Sequence, residues 1–141
     1  MGLNDFLKSM FGSKSDRDLK KLRPILQKIK QVYPTVEALS NDELRARVTA
    51  IRQEIQDDVQ PLRDEIAKIK VEVEELDFEK RQPLWDKVDK LQKEVLDRIQ
   101  AKLDEVLPEV FAIVKDTARR FAQNETIEVT ATDFDRKLAA E

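Results

Sequence analysis

The sequence has 141 residues, of which 40% are hydrophobic and 39% are charged, with 26 basic and 29 acidic side chains. This length suits one domain with a thin core, and balanced charge with only two glycines favours long solvated helices over sheets. The apolar residues recur at helical spacing throughout, which excludes a disordered chain. Because histidine and cysteine are absent, the chain has no disulfide, no thiolate or imidazole metal ligand and no histidine-based catalytic site.

Two further classes of protein are excluded by the distribution of glycine and of apolar residues. A phosphate-binding loop needs two glycines five positions apart, whereas Gly2 and Gly12 are the only glycines. We therefore expect no ATP hydrolysis by this chain. No apolar run approaches the roughly 20 residues that span a bilayer, and the N-terminus lacks the features of a secretory signal. A cytoplasmic protein is the default expectation.

The first predicted element is a short amphipathic helix that ends at Gly12. It has two interpretations: it docks on the rest of the protein, or it lies on a membrane or in a partner groove. Residues 1–34 carry a net charge of +5 and the remainder carries −8, which favours an anionic lipid surface. The apolar side chains that share one stripe of this helix are Leu3, Phe6, Leu7, Met10 and Phe11.

A second helix is predicted from near Ser15, with Pro24 expected to kink or split it and Pro34 expected to close it. After a short turn, Ser40 and Glu43 have the spacing of a capping box and predict the start of the next helix.

Two apolar seams then predict a long antiparallel helical hairpin, which makes the fold class all-α. From Val59 to Leu76 the apolar steps alternate three and four residues, as in a coiled coil. A similar seam runs from Leu84 to Val110 after a short break. Pro61 predicts a bend or a restart in the first arm, and Trp85 is placed near the turn.

Beyond the hairpin, residues 110–121 have a wider apolar face than a two-stranded seam can bury, which predicts that the hairpin packs at its base on the N-terminal helix over residues 19–33. The β-branched run at 126–130 allows a short strand, although no second strand is visible. Thr132 can cap a last helix.

Three segments of the chain resemble the SecA family of preprotein translocase motors. They are F-G-S-K-S-D-R-D-L-K-K-L at residues 11–22, A-L-S-N-D-E-L-R-A-R-V at 38–48 and L-P-E-V-F-A-I-V-K-D-T-A-R-R at 107–120. Most family members join the second and third segments through a short linker, whereas some fifty residues intervene here. The resemblance therefore implies an N-terminal amphipathic helix (1–12), the helical opening of the first nucleotide-binding domain (13–57 and 103–141) and an inserted coiled-coil hairpin (58–102).

The family's phosphate loop and its other ATPase motifs lie downstream of these segments and are not present in this sequence. The resemblance thus implies an N-terminal fragment with no catalytic, cofactor-binding or metal-binding residue, from a parent that uses ATP and Mg. The implied partners of that parent are the SecYEG channel, preproteins, anionic phospholipids and a second copy in a homodimer, with no nucleic acid. Its implied place is the cytoplasmic side, peripheral at the inner face of the cell membrane.

The residues that the resemblance implies as membrane or partner contacts lie at the N-terminus; they are Leu3, Phe6, Leu7, Lys8, Met10, Phe11 and Lys14. Two other functions stay open on the sequence: a free-standing helical coiled-coil interaction module, and a small membrane-surface adaptor. A phosphate loop encoded downstream of residue 141 would favour the translocase fragment, and a stop codon directly after it would favour the alternatives.

Overall fold

The computed structural model describes residues 14–141, which form four α-helices and one short 3-10 turn. The predicted all-α fold is confirmed. The helices are α1 (Lys14–Glu37), α2 (Asn41–Glu75), α3 (Gln82–Gln123) and α4 (Asp133–Ala140), and the 3-10 turn (Phe78–Lys80) joins α2 to α3. The chain divides into two compact units: α1 belongs with residues 108–129, and residues 40–107 belong with residues 130–141.

Capping boxes begin two of the helices. At the start of α2 the Glu43 backbone N–H donates to the Ser40 hydroxyl at 3.2 Å, and the Ser40 N–H donates to the Glu43 carboxylate at 2.7 Å. Thr132 and Asp135 make the same reciprocal pair at the start of α4. Each box satisfies backbone donors that the first helical turn leaves without partners, so both predicted starts are confirmed.

The core of the second unit is the seam of the antiparallel hairpin between α2 and α3. Valine and isoleucine side chains at the predicted seam positions are buried, and leucines and one further isoleucine pack against them. Each fully buried side chain of this size contributes roughly 1.5–3 kcal/mol of hydrophobic free energy. The buried members are Val59, Ile66, Ile69, Val73, Val88 and Val95, and the packed neighbours are Leu62, Leu84, Leu91 and Ile99.

At the hairpin tip, Arg81 closes the end of α2. Its Nε donates to the Leu76 carbonyl at 2.8 Å, which satisfies one of the acceptors that a helix C-terminus leaves open. The two aromatic side chains of the tip are not enclosed: Phe78 is 85% exposed and Trp85 is 40% exposed. The tip is therefore held by polar capping, with Trp85 only partly covered.

The predicted end of α1 at Pro34 is wrong, and neither Pro24 nor Pro61 splits its helix; a kink at Pro24 and a bend at Pro61 stay predictions. α1 runs through both Pro24 and Pro34 to Glu37, and α2 runs through Pro61 without a break. An interior proline costs about 3 kcal/mol because it removes one backbone hydrogen bond. In α2, Val59 is fully buried two residues before Pro61, so packing along the seam offsets that cost. At the end of α1, Val36 is buried, which favours one more turn beyond Pro34.

The first unit has a smaller core than predicted. On α3, Ala112 and Ile113 are buried, and on α1 Val36 is buried. The wide apolar face over 110–121 is only partly covered, since several of its members and the leucines of α1 stay exposed. Among the described residues the main core lies in the hairpin seam, where two matched apolar faces meet along many turns.

No strand forms at 126–130 within the described residues. A strand needs a neighbouring strand to satisfy its backbone groups, and residues 14–141 contain no other strand. Instead the Thr130 backbone N–H and hydroxyl donate to the two carboxylate oxygens of Asp42, at 2.9 and 2.6 Å. The Asp42 side chain on α2 therefore accepts the hydrogen bonds of Thr130 that a neighbouring strand would otherwise provide for.

Candidate interaction surface

The sequence-predicted contact residues fall mostly outside the structure. Six of the seven, Leu3, Phe6, Leu7, Lys8, Met10 and Phe11, lie outside the described residues, so their role stays a prediction. Lys14 is the first described residue of α1 and is exposed.

The first half of α1 is a basic amphipathic helix that has no apolar partner among residues 14–141. Its apolar side chains are exposed by 36–57%, and its lysines and arginines are exposed too. In globular proteins such a stripe is normally turned onto a core. An uncovered stripe beside a basic face is the arrangement of helices that bind anionic surfaces. The exposed apolar members are Leu19, Leu22, Ile25 and Leu26.

A second exposed apolar face lies in the same unit, on the last turns of α3. Large side chains there are exposed by 38–69%, which exceeds what scattered surface residues explain. The members are Val110, Phe111, Val114 and Phe121.

A buried ionic cluster around Asp116 fixes the end of α1 to α3. Asp116 is fully buried, and its carboxylate accepts hydrogen bonds from Arg119 Nε at 2.8 Å, Arg120 Nε at 2.6 Å and the Tyr33 hydroxyl at 3.2 Å. The second guanidinium also donates to the Leu39 carbonyl at 2.6 Å. One carboxylate thus links side chains from α3 and α1 with the backbone that follows α1.

Opposing effects set the pKa of Asp116. Burial raises the pKa, and the hydrogen bonds from Arg119 and Arg120 lower it by more. The pKa of Asp116 is therefore below its ordinary value, and the carboxyl is ionised at neutral pH. Burial also raises the pKa of the Tyr33 hydroxyl. The Lys115 ammonium lies 3.7 Å from the centroid of the Tyr33 ring, a cation–π contact. The role of this cluster is structural, because its ion pairs and hydrogen bonds connect α1 to α3.

A second ionic cluster, in the other unit, fixes α4 to the start of α2. Arg45 Nη2 donates to the Asp135 carboxylate at 2.6 Å, and Arg45 Nη1 donates to the Thr130 carbonyl at 3.1 Å. The bond from Arg45, followed by those from Thr132, lowers the pKa of Asp135 to about 2. Bonds from Thr130 lower the pKa of Asp42. α4 is therefore held by charge-assisted hydrogen bonds, since it buries no side chain.

Within residues 14–141, no three acidic side chains are placed to hold a metal ion. Nor does this part of the chain contain a helix with the length and apolarity needed to cross a bilayer.

The sequence did not predict either ionic cluster. In the sequence Asp116 is one residue of the D-T-A-R-R segment, and its partner Tyr33 lies 83 positions earlier. One local signal was available: Asp116 precedes arginines at the i+3 and i+4 positions of the same helix, a spacing that allows both to reach it.

Comparison with known proteins places the chain in a family. The sequence model of the SecA DEAD-like domain matches residues 7–134. A protein translocase subunit SecA from Porphyromonas gingivalis is 58% identical over 99% of this chain. The proteins of the same name from Phocaeicola vulgatus and Flavobacterium psychrophilum are 48% and 38% identical over 100% and 98% of it. Matches of this extent include residues 58–102, so these relatives share the hairpin segment.

The chain spans only about an eighth of the length of these curated relatives, 12% in the Porphyromonas gingivalis protein and 13% in that of Phocaeicola vulgatus. No solved structure matches the chain.

Proposed function

The chain belongs to the SecA family, and we propose that it is the N-terminal, non-catalytic segment of a motor that uses ATP to drive preproteins through the SecYEG channel. The observation that supports this most is the extent of the match: the family model covers residues 7–134, yet the chain spans 12% of a relative's length. We expect an N-terminal segment of this length to contribute binding contacts to the complete translocase.

The chain's own residues do not fit ATP and Mg, so no catalytic step is assigned to them. The sequence has no pair of glycines five positions apart to cradle phosphates. The buried Asp116 and the Asp135 at the start of α4 are each hydrogen-bonded to an arginine. Nucleotide chemistry in the proposed parent belongs to residues downstream.

A chimera tests the proposal. The matching N-terminal residues of the Porphyromonas gingivalis relative are replaced by this chain, and transport of a preprotein into inverted membrane vesicles is measured. Because the two sequences are 58% identical over 99% of the chain, we expect transport at a rate within roughly two-fold of the unmodified relative, whose own rate is the control. A folded chimera that hydrolyses ATP but transports no preprotein would contradict the proposal.

We further propose that residues 1–12, for which the sequence predicts an amphipathic helix, and the basic start of α1 contact the channel or anionic phospholipid at the inner face of the membrane. The proposal is supported by the helical spacing of the apolar residues from Leu3 to Phe11 in the sequence, by the exposed Lys14 and by the exposed leucines of α1. Each basic residue near an anionic surface contributes about 1 kcal/mol. A homodimer of the parent is an expectation from the same resemblance.

Vesicle binding tests the lipid contact. Substituting both Phe6→Ser and Phe11→Ser removes two large apolar side chains from the stripe, and we expect the partition coefficient on anionic vesicles to fall by roughly ten-fold or more. Co-sedimentation across a lipid titration measures it. The matched control is Phe134→Ser, which removes an exposed phenylalanine (71% exposed) from α4. Equal binding of the double variant and the original chain to anionic vesicles would contradict the lipid contact. Binding of the original chain to neutral vesicles as tightly as to anionic vesicles would contradict it too.

A further inference from the structure

The tip of the hairpin between α2 and α3 carries an excess of acidic side chains. Residues 72–86 contain six acidic and two basic residues, a net charge of −4. The two arms of the hairpin are balanced by comparison, with a net charge of −1 over residues 41–71 and of zero over 87–107. The acidic charge is therefore a property of the tip and not of the whole hairpin. Its members, all exposed, are Glu72, Glu74, Glu75, Asp77, Glu79 and Asp86.

The two basic side chains of the tip neutralise few of these carboxylates. Lys80 pairs with Asp77 at 3.4 Å. Arg81 donates to the backbone carbonyls of Leu76 and Glu74, so its guanidinium is used to cap α2 and not to pair with a carboxylate. Most of the acidic charge at the tip is therefore left for solvent or for a partner. The tip carboxylates that form no ion pair among the described residues are Glu72, Glu74, Glu75 and Glu79.

Three of these carboxylates lie at a position that does not favour helix stability. The last turn of α2, residues 72–75, contains three glutamates and no basic residue. Because a helix C-terminus carries a partial negative charge, acidic side chains there destabilise the helix. A sequence that breaks a local rule without a gain in stability is typical of a functional surface. The acidic end of α2 is therefore not explained by the folding of the hairpin.

Phe78 lies among these carboxylates on an ordered turn. Its side chain is 85% exposed, the highest value among the large exposed apolar residues of the described chain. The Phe78 carbonyl accepts a hydrogen bond from the Arg81 backbone N–H at 3.3 Å, and the Lys80 N–H donates to the Asp77 carbonyl at 2.9 Å. These two bonds hold the 3-10 turn in place. A ring on an ordered turn loses little conformational entropy on binding, which suits a residue that anchors a contact.

We propose that the hairpin tip binds a basic amphipathic helix of a partner protein. Phe78 contacts the apolar stripe of that helix, and the unpaired glutamates lie beside its lysines or arginines. The charge of the tip selects the class of partner, because carboxylates attract basic side chains and repel the phosphates of nucleic acids and anionic lipids. The exposed ring requires an apolar stripe as well, which a purely basic segment lacks. The inference concerns the tip alone and does not depend on the proposed function.

Titration of the full chain with a synthetic peptide tests the proposal. The probe is an amphipathic helical peptide of about 18 leucines and lysines, five helical turns. Trp85, the only tryptophan of the chain, is 40% exposed in the first turn of α3, so its fluorescence reports on binding at the tip. We expect a saturable change in emission below about 1 mM peptide. Peptides with alanine for leucine, or with glutamate for lysine, should bind at least ten-fold more weakly. No change in emission with the first peptide, or equal binding of all three, would overturn the proposal.

A substitution of the ring tests the apolar part of the contact. Phe78→Ser removes a side chain that packs on nothing in the folded hairpin, and we expect it to raise the dissociation constant of the leucine–lysine peptide by roughly ten-fold. The matched control is Phe134→Ser, because Phe134 is 71% exposed and also lies between carboxylates, those of Asp133 and Asp135. We expect the control to change the constant by less than about two-fold. Equal effects of the two substitutions would contradict a contact at Phe78.

Two double variants test the carboxylates. Glu75→Gln with Glu79→Gln removes two charges from the tip, and Asp97→Asn with Asp104→Asn removes two exposed charges from the α3 arm. Both pairs change the net charge of the chain by the same amount, so they affect a general attraction for the basic peptide equally. We expect the tip pair to raise the dissociation constant roughly five-fold and the arm pair less than about two-fold. Equal weakening by the two pairs would show that the attraction is not local and would overturn the proposal.

Discussion

At Asp116, burial and the neighbouring arginines act in opposite directions on the pKa of one carboxyl group. Its carboxylate has no exposed surface, yet it accepts hydrogen bonds from two guanidinium groups and one hydroxyl. Moving an ionised group out of water is costly unless it is paired and hydrogen-bonded. The lowered pKa of Asp116 indicates that the arginines more than offset the cost of burial. Removing the carboxylate would leave Arg120, which is only 9% exposed, without that balancing charge.

The substitution Asp116→Ala should therefore destabilise the contact between α1 and the end of α3 by about 3 kcal/mol. Native-state hydrogen exchange measures the loss as a lower opening free energy for amides near Tyr33 and Val36. Amides of the hairpin seam, such as those near Val59, should not change.

The matched control for this substitution is Asp133→Ala. It also removes a carboxylate paired with arginine, but on a side chain that is fully exposed, and exposed pairs contribute about 1 kcal/mol or less. A loss below about 1 kcal/mol for Asp116→Ala would show that the cluster does not hold α1.

At the scale of elements, the features predicted correctly are those determined by nearby residues. The boxes at Ser40 and Thr132 are complete within four positions, and the hairpin seam follows from a repeat of three and four residues. The end of α1 at Pro34 was predicted wrongly, because the effect of a proline depends on distant packing. Pro61 remains within α2, next to Val59, which α3 helps to bury.

The candidate surfaces were predicted less well than the helices, for a related reason. Periodicity identifies an apolar face but does not say what covers it. The face over 110–121 was expected to pack on α1, whereas Phe111, Val114 and Phe121 remain more than half exposed. Contacts such as that between Tyr33 and Asp116 join residues that are 83 positions apart, and no local pattern encodes that separation.

At the scale of the whole molecule, two kinds of interaction hold different parts of the chain. Apolar side chains that do not titrate hold the hairpin. Ionic clusters hold α1 through Asp116 and α4 through Asp135, with Asp42 fixing the segment before α4. The pKa values of all three carboxyls are lowered in the folded chain. The stability that they contribute is fully present above their ordinary pKa of 3.8 and is lost as the pH falls below it.

Acidification should consequently release α4 before it opens the hairpin. Because the pKa of Asp135 is about 2 in the folded chain and 3.8 is its ordinary value, its contribution disappears between about pH 4 and pH 2. The ring signals of Phe134 in NMR spectra report on α4, and the fluorescence of Trp85, the only tryptophan, reports on the hairpin. With about 0.15 M salt to screen the positive charge that accumulates at low pH, the Phe134 signals should change at a higher pH than the Trp85 fluorescence. Asp135→Asn, which removes the charge at every pH, should abolish the Phe134 transition and leave the Trp85 transition in place. Coincident transitions in the unmodified chain would show that the hairpin depends on the same carboxylates.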